Sequence, residues 1–487
     1  MIRHQIGVAG EVKPGRLVSE VEVIVEGRVE RALNYNFLTG PVGRGDRLLL
    51  NTTAVHLELG SGGYHFVEFN FSRPLPPFQG RGHIMKLCYT PWQMRVLSCE
   101  EQAAGNRARL ARFAGLGGTP VLIGELHSMV APAAAVLKYY RPACRIAYVM
   151  TDATALPLPF SRTVARLKEK GLLSATISCG HAFGGDYEAV NVYSALAACR
   201  SLIGADFIIL APGPGSIGTA SRLGFSGMEA GDNVNRVNAL GGTPLFIPRI
   251  SFAERRRRHF GLSHHSLTAL AVAALSPALL VLPLMPPQRL RLCLGQLAAG
   301  KLISRHRLLL LPPPPLEAIV RQMELGPLES MGRSFREDPC FFEAAAAAAA
   351  AALRLAEQKE RVRRNGEGEK DVGGKRAFDH LSLPGPDHQP PPGPGSPSRR
   401  RRAFFPGNSG ASRGGSHPGA GSERARAPGQ AVPPRCGQGP AGGAGRQAGA
   451  GGGAAGLRPK GAGRGDRLPG GKVEKADLVL QHPGLLR

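Results

Sequence analysis

Apolar and polar residues alternate along the first part of the chain in the manner of short β-strands. Residues 20–36, EVEVIVEGRVERALNYN, alternate in their first half, and residues 62–71, GGYHFVEFNF, alternate again. Between them, residues 43–55, GRGDRLLLNTTAV, predict a turn followed by a strand. Alternation gives each strand one buried and one solvated face. We therefore predict a small β domain of SH3-like or OB-like barrel size over residues 1–75, with a linker over 76–85.

From residue 86 the pattern changes to apolar runs separated by helical segments. The runs predict five buried strands, at 119–128, 144–152, 174–181, 205–215 and 243–249. The segments between them predict four helices, at 131–140, 161–173, 186–204 and 226–242. Ser161 is placed to cap the second helix and Gly171 to end it. Such βαβ units form parallel sheets covered on both faces. The predicted fold class is therefore α/β, with a Rossmann-like, mostly parallel, doubly wound sheet over residues 86–353.

One apolar stretch, residues 269–287, is about long enough to cross a membrane. Pro277, Pro283 and Pro286 interrupt it, and it divides into a helix end, a Ser-Pro break and a buried strand. We therefore predict no membrane partner. The N-terminus lacks the apolar segment of a signal peptide, which favours a cytoplasmic location.

The cysteines show neither a metal-binding nor a disulfide pattern. None is in a CxxC pair, and their spacing is irregular, which argues against a zinc ribbon and a disulfide framework. They are Cys88, Cys99, Cys144, Cys179, Cys199, Cys293, Cys340 and Cys436.

The end of the chain differs in composition from the rest. Of the net charge of +25, residues 361–487 carry +13, from 22 Lys and Arg against 9 Asp and Glu. Their Gly-, Pro-, Arg- and Ala-rich sequence offers too little apolar surface for a core. We therefore expect residues 354–487 to be a helix end followed by a disordered basic tail. The tail is either a frameshift product of GC-rich DNA or a basic arm that binds nucleic acid.

Polar residues follow four of the predicted strands, at the edge where parallel sheets bind ligands. Glu125 and His127 follow the first strand, Asp152 the second, and His181 and Asp186 the third. As a group they are candidates for acid–base catalysis, and His127, His181 and Asp186 for holding a divalent metal ion. Each also has a structural alternative, because aspartates cap helices and turns and buried histidines form hydrogen bonds.

The loop after the fourth strand, APGPGSIGT, is a candidate anion site. Gly213, Gly215, Ser216, Gly218 and Thr219 can present backbone N–H groups or hydroxyls to a phosphate or carboxylate. The glycines match the spacing G-x-G-x-x-G, but the loop does not follow the first strand, and no GK[ST] is present. A plain connecting loop is the alternative.

A basic segment, PRISFAERRRRHFGLSHHSLTAL, follows the fifth strand. Arg255–Arg258 form either a solvated surface or a contact to an anionic ligand or nucleic-acid backbone. His264 and His265 precede a helix. Because adjacent residues project in different directions, we expect at most one of them, His264, to enter a site.

Several long strings of this sequence resemble those of a bacterial family known as domain of unknown function 3866. The resemblance covers about residues 1–353. It implies a soluble bacterial protein, but no reaction, ligand or catalytic residue. The strings are LNYNFLTGPVGRGDRLLLNTTAVHLELGSGGYHFV, GHIMKLCYTPWQMRVLSCEEQ, GELHSM, AYVMTDATALPLPFS, GHAFGGDYEAVNVYSAL, GPGSIGTASRLGFSGMEAG and PRISFAERRRRHFGLSHHSLTAL.

Two classes of function fit these patterns. The first is an α/β enzyme or binder of a small anionic ligand, with its site at the carboxyl edge of the sheet. The second is a nucleic-acid-binding, regulatory or assembly protein that uses the barrel and the basic segments. Lys and Arg do not interleave with the last four barrel aromatics, which favours the first class. The barrel aromatics are Tyr35, Phe37, Tyr64, Phe66, Phe69 and Phe71.

Overall fold

A closed five-stranded barrel forms the amino-terminal part of the protein. The structure, a computed structural model, describes residues 1–74 and 80–364. The barrel elements are β1 (His4–Lys13), β2 (Val18–Val25), β3 (Arg28–Tyr35), α1 (Asn36–Thr39), β4 (Arg47–Asn51), α2 (Thr53–His56) and β5 (Tyr64–Asn70). The strand order around the barrel is β1-β2-β3-β5-β4. The predicted barrel is therefore confirmed, and β1 is an additional strand.

Alternate residues of the strands fill the barrel, as the sequence pattern predicts. Val21, Val23 and Val25 of β2 are buried in its core, while the residues between them are exposed. In β1, Gly7 interrupts the alternation. A Cβ at Gly7 would lie 2.9 Å from Cδ1 of Leu50. This inward-facing position of β1 therefore carries no apolar side chain. As a result, the sequence of β1 lacks the apolar alternation by which the other strands were predicted.

A short connecting region joins the barrel to the main sheet. It contains β6 (Ile84–Lys86), β7 (Met94–Val96) and α3 (Arg107–Ala111). Lys86 is buried, and its Nζ donates to Oε2 of Glu188 at 2.6 Å and to the carbonyl oxygen of Ser178 at 3.1 Å. These bonds fix β6 to the edge of the sheet. Of the predicted linker, residues 76–79 lie outside the described residues.

An eight-stranded parallel sheet is the centre of the second part. In chain order its strands are β8 (Pro120–Gly124), β9 (Ile146–Thr151), β10 (Ala175–Cys179), β11 (Tyr187–Ala189), β12 (Phe207–Pro212), β13 (Thr243–Ile247), β16 (Leu279–Pro283) and β17 (Arg307–Leu311). Between β13 and β16 the chain forms a separate short hairpin of β14 (Ile250–Ser251) and β15 (Gly261–Leu262). A second short hairpin is formed by β18 (Glu329–Ser330) and β19 (Arg333–Ser334). All five strands predicted for this sheet are confirmed.

Helices cover both faces of the sheet. They are α4 (Val130–Tyr140), α5 (Arg162–Glu169), α6 (Val192–Ala198), α7 (Glu229–Ala239), α8 (His264–Thr268), α9 (Pro287–Ala299), α10 (Leu316–Gln322) and α11 (Pro339–Arg364). Helices α11 and α7 both pack on β8 and β13, yet α11 pairs with α4 and α7 with α6. Two helical layers on one sheet confirm the doubly wound fold.

The strand order reverses at β8. The order across the sheet is β11-β10-β9-β12-β8-β13-β16-β17. The chain therefore builds one side of the sheet after β8, returns through β12, and then builds the other side from β13. In open parallel sheets the ligand crevice lies at the carboxyl ends of the strands at such a reversal.

One local prediction differs from the structure. The segment predicted as a helix from residue 186 first forms β11, which pairs with β10, and α6 begins only at Val192, where Asn191 provides a capping box. The loop from His181 to Asp186 therefore connects two strands. The tail from residue 365 lies outside the described residues.

The apolar stretch at 269–287 is part of the fold. It forms a π-helical turn, Ala269–Ala273, and then β16 within the sheet, as predicted. Among the described residues, one helix, Pro339–Val362, is long and apolar enough to cross a membrane, and most of it is buried inside the protein. Its alanine run packs against α4 and the sheet.

Candidate functional site

Two charged side chains are buried together where the strand order reverses. Glu125 follows β8 and Arg249 follows β13, and each is only 2% exposed. Ser266 of α8 connects them, because its hydroxyl accepts from the Arg249 backbone N–H at 2.9 Å and donates to Oε2 of Glu125 at 3.0 Å. The fold thus buries a carboxyl group within electrostatic range of a guanidinium.

Burial sets the protonation of Glu125. Its Oε1 atom has no hydrogen-bond partner among the described residues. Burial raises the pKa of Glu125 to about 7, against the opposing effects of the Arg249 charge and the Ser266 hydroxyl. A carboxyl group that titrates near neutral pH can both take up and release a proton, as general acid–base catalysis requires.

Arg249 has unused hydrogen-bonding capacity. Its Nε has no partner among the described residues, and its Nη2 lies 3.0 Å from Sδ of Met331 and 3.8 Å from Oε2 of Glu254. Arg256 donates to Glu254 at 3.0 and 2.7 Å, and Arg333 lies 3.5 Å away. These contacts, led by the bond from Arg256, lower the pKa of Glu254 to about 2 despite its burial. Asp338 lies 3.3 Å from Arg333, so two carboxylates face three arginines and positive charge remains in excess.

Three histidines lie beside this pair. His259, His264 and His265, which we call the histidine cluster, each place one ring nitrogen within 4.8 Å of the others. Their ring centroids are 4.4–4.8 Å apart. The hairpin β14–β15 brings His259 back to the start of α8. Within residues 1–74 and 80–364, no other group of three His, Cys, Asp or Glu side chains is close enough to hold a metal ion.

The histidine cluster is neutral at physiological pH. Burial, followed by repulsion from neighbouring positive groups, lowers the pKa of His259 and His265 to about 3. The same causes lower the pKa of His264. Nε2 of His264 is buried and has no partner among the described residues.

Two neighbours orient the histidine cluster. Ser263 begins α8, where its Oγ accepts from the N–H of His265 at 3.1 Å and lies 2.8 Å from Nδ1 of His259. Phe225 stacks on the His265 ring at a centroid distance of 3.9 Å and contacts the His264 ring edge-on at 5.9 Å. The rings are thus held by a hydrogen bond on one side and a stacking contact on the other.

A cavity of about 440 Å³ lies next to this region, although Glu125, Arg249 and the histidine cluster are not part of its walls. Met331, which contacts Arg249, forms part of its wall. Its other walls are Leu126–Ser128 after β8, Arg162 and Arg166 of α5, and the start of the glycine loop. The cavity therefore lies at the predicted edge of the sheet.

The predicted anion-binding residues divide into different roles. A Cβ at the buried Gly213 would lie 2.3 Å from a carbonyl oxygen of the neighbouring loop, so this glycine permits a close crossing of two segments. Gly215 and Ser216 line the cavity. Gly218 lies against His265, and Thr219 closes a turn within the loop. The glycine loop, residues 213–219, therefore has one part at the cavity and another at the histidine cluster.

His127 lines the cavity, but both of its nitrogens have partners. Nε2 lies 2.6 Å from Oγ of Ser161, and Nδ1 lies 3.1 Å from the hydroxyl of Tyr148 and 3.2 Å from the carbonyl oxygen of Pro212. Burial lowers the pKa of His127 to about 4. His127 is therefore a neutral side chain that links neighbouring segments through hydrogen bonds. This arrangement matches the structural role that we gave as the alternative to catalysis.

The other predicted catalytic residues lie apart from Glu125. Oδ2 of Asp152 accepts from the backbone N–H of His181 at 2.8 Å, and both side chains are exposed. Asp186 is near the opposite end of β10, where its Oδ2 accepts from the N–H and the hydroxyl of Thr176, both at 2.9 Å. The proposed metal ligands His127, His181 and Asp186 do not form a group within ligating distance, because the loop after β10 returns along that strand.

The barrel aromatics are largely used in packing. Tyr35 stacks on Phe66 at 6.3 Å, Phe66 contacts Phe160 at 6.4 Å, and Phe37 contacts Phe183 at 5.9 Å. Phe160 and Phe183 belong to the second part of the protein. These three barrel rings therefore help to hold the barrel against the sheet region.

The sequence did not reveal most of the site. Arg249, Phe225 and His259 were not candidates, and His264 and His265 both lie in the cluster, whereas at most one of them was expected to enter a site. His259 is five residues before His264, and residues five apart do not lie on the same face of a helix. The available signal was HFGLSHH after a strand and a basic turn, which a β-hairpin folds into a cluster.

The family model described as Protein of unknown function (DUF3866) matches residues 31–349. A search of curated proteins finds no match to the chain. The matched residues include β4, β5 and the end of β3 in the barrel, the whole parallel sheet, Glu125, Arg249 and the histidine cluster. The match spans well over half of the sequence, and the chain therefore belongs to the DUF3866 family of proteins of unknown function.

Proposed function

We propose that the protein is an enzyme that binds a small anionic ligand at the carboxyl edge of its parallel sheet and uses Glu125 as an acid–base group. The burial of Glu125 within electrostatic range of Arg249 carries this proposal. Both are buried, and each has a polar atom without a partner among the described residues. An unpaired buried polar group costs roughly 1–3 kcal/mol. Such atoms at a strand-order reversal are therefore expected to meet a ligand or its water.

The charge around the cavity supports an anionic ligand. Arg162 and Arg166 line it, and Arg249 borders it through Met331. Glu329 is on the wall as well, and Arg162 is paired with Glu20 of the barrel, so positive charge prevails but is partly compensated. The volume of about 440 Å³ suits a metabolite-sized ligand.

The chemistry follows from the two buried groups. Near neutral pH, Glu125 exists in both protonation states, so it can remove a proton from a ligand and return it. Arg249 can stabilise negative charge that develops on the ligand, because a fixed cation in a dry site interacts strongly with it. We therefore favour proton transfer or hydrolysis at a phosphate- or carboxylate-bearing compound.

We also place the protein in the cytoplasm. All seven cysteines within residues 1–74 and 80–364 are free, and six of these are buried. Free thiols suit a reducing compartment, since oxidising compartments favour disulfides.

The proposal is tested by anion binding to the full-length protein. Isothermal titration calorimetry with inorganic phosphate, pyrophosphate, adenosine monophosphate and citrate compares the wild type with Arg166→Gln and Arg249→Gln. Arg28→Gln, at an exposed position of the barrel, is the matched control. We expect at least one probe to bind and either site variant to weaken it on the order of tenfold, the effect of one lost charged hydrogen bond. If none of the probes binds, or if the control weakens binding equally, the proposal fails.

A further inference from the structure

We propose that the histidine cluster is a binding site for one divalent transition-metal ion, Zn²⁺ above all, with His259, His264 and His265 as its three protein ligands. The chemical use of the metal rests on the proposed function, whereas its binding can be measured without any other ligand. The three imidazoles and the vacant fourth position of such a centre are typical of catalytic zinc.

The positions of the nitrogens suit the ion after a small adjustment. Zinc–nitrogen bonds of about 2.0–2.1 Å place tetrahedral ligand atoms about 3.3 Å apart. The three nitrogens now lie within 4.8 Å of one another, so each must move inward by about 1 Å or less to meet that geometry. The proposal therefore requires small rotations of the His259 ring in the hairpin and of the His264 and His265 rings at the start of α8.

His264 offers the ion a nitrogen without a partner, and the other two rings are held in place by their neighbours. Nε2 of His264 is buried and has no partner among the described residues. Donation from Nδ1 of His259 to Ser263 leaves its Nε2 as the acceptor, and the ion would displace the 3.3 Å hydrogen bond that this atom now accepts from Nε of Arg258. His265 is oriented by its stacking on Phe225. A hydrogen bond that fixes the second ring nitrogen of a ligand is a recurrent feature of zinc sites.

The positive charge around the histidine cluster favours an anion as the fourth ligand of the metal ion. Arg249, Arg256 and Arg258 are close enough to influence the protonation of His259, and they would repel a bare cation. An anion in the fourth position, hydroxide or the oxygen of an anionic ligand, offsets this repulsion. The metal and the anion are therefore expected to bind together, and Glu125 is hydrogen-bonded to Ser266 of α8, the helix that carries His264 and His265.

The experiment uses full-length protein purified without a histidine tag, stripped with a chelator and dialysed. Zinc chloride is titrated by calorimetry into the wild type, His264→Ala and the control His181→Ala, which removes an exposed histidine outside the cluster. We expect one ion per chain, a loss of affinity on the order of 100-fold in His264→Ala, and no change in His181→Ala. Circular dichroism verifies that both variants are folded.

Cobalt gives a readout that does not depend on a variant. Co²⁺ bound to the wild type is expected to show the intense visible absorption of a tetrahedral site, and Zn²⁺ is expected to remove it. Absence of binding, an octahedral cobalt spectrum, or equal affinity in wild type and His264→Ala would overturn the metal assignment. Phosphate is then titrated without metal. Phosphate binding that requires His264 in a protein that binds no zinc would mean that the cluster holds the anion directly, and this outcome rejects the metal site while the proposed function stands.

Discussion

The burial of Glu125 makes the stability of the protein depend on pH in a defined window. Its pKa is raised from 4.5 to about 7 in the folded protein. The folded state therefore binds this proton more tightly than the unfolded state, and the stabilisation present at low pH is lost as the pH rises from 4.5 through 7. One pKa unit corresponds to 1.36 kcal/mol, so the loss between pH 5 and pH 8 is about 2.5 kcal/mol.

The substitution Glu125→Gln removes this titration. We expect the free energy of unfolding of the variant, relative to wild type, to increase by about 2.5 kcal/mol from pH 5 to pH 8. Urea unfolding of the full-length proteins, followed by circular dichroism at pH 5, 6, 7 and 8, measures this difference, and groups shared by both proteins cancel. Glu169→Gln, at an exposed position of α5, controls for the general loss of a carboxylate.

A constant difference between the two proteins across these pH values would refute the reasoning. It would mean that Arg249, which opposes the effect of burial, holds Glu125 ionised throughout. In that case Glu125 would be a fixed charge rather than a proton carrier, and the acid–base part of the proposed function would be lost.

Three further substitutions test the fold by the same urea titration. Glu188→Gln leaves Lys86 buried without its anionic partner and is expected to cost about 3 kcal/mol; an effect near zero would show that the carbonyl acceptors suffice. Asn191→Ala removes the capping box of α6 and should cost about 1 kcal/mol, less than Glu188→Gln. Gly231→Ala would place a Cβ 2.4 Å from a carbonyl oxygen of the turn after α8 and should cost at least about 1–3 kcal/mol. The control Gly295→Ala, with nothing within 4 Å, is expected to be neutral or stabilising by up to about 1 kcal/mol.

The sheet could be predicted where burial alone determines the sequence. Strands such as β9 and β12 are covered on both faces, so nearly every position is apolar. The edge strand β11 has only three residues, and only the last of them is fully buried. No periodicity therefore distinguishes it from the start of a helix. In β1 a glycine stands where the barrel leaves no room for a side chain. Both misses arise from pairing between distant segments, which local pattern does not record.

The sequence predicted the location of the candidate site but not most of the side chains that form it. Glu125 and the glycine loop follow buried strands, and the rule for parallel sheets locates them at one edge. The rule does not say which side chains turn inward. Both ring nitrogens of His127 already have hydrogen-bond partners. The return of the chain along β10 places Asp186 near the opposite end of that strand, away from the site. The histidine cluster depends on a hairpin whose two strands have two residues each, too short for a sequence signal.

The position of the glycine loop implies thermodynamic linkage between the cavity and the histidine cluster. Gly215 and Ser216 form part of the cavity wall, and Gly218 of the same loop lies against His265. A ligand that orders the loop from one side lowers the entropy that must be lost when the other side is occupied. Linkage is reciprocal, so an ion at the cluster and an anion in the cavity are expected to raise each other's affinity by the same factor.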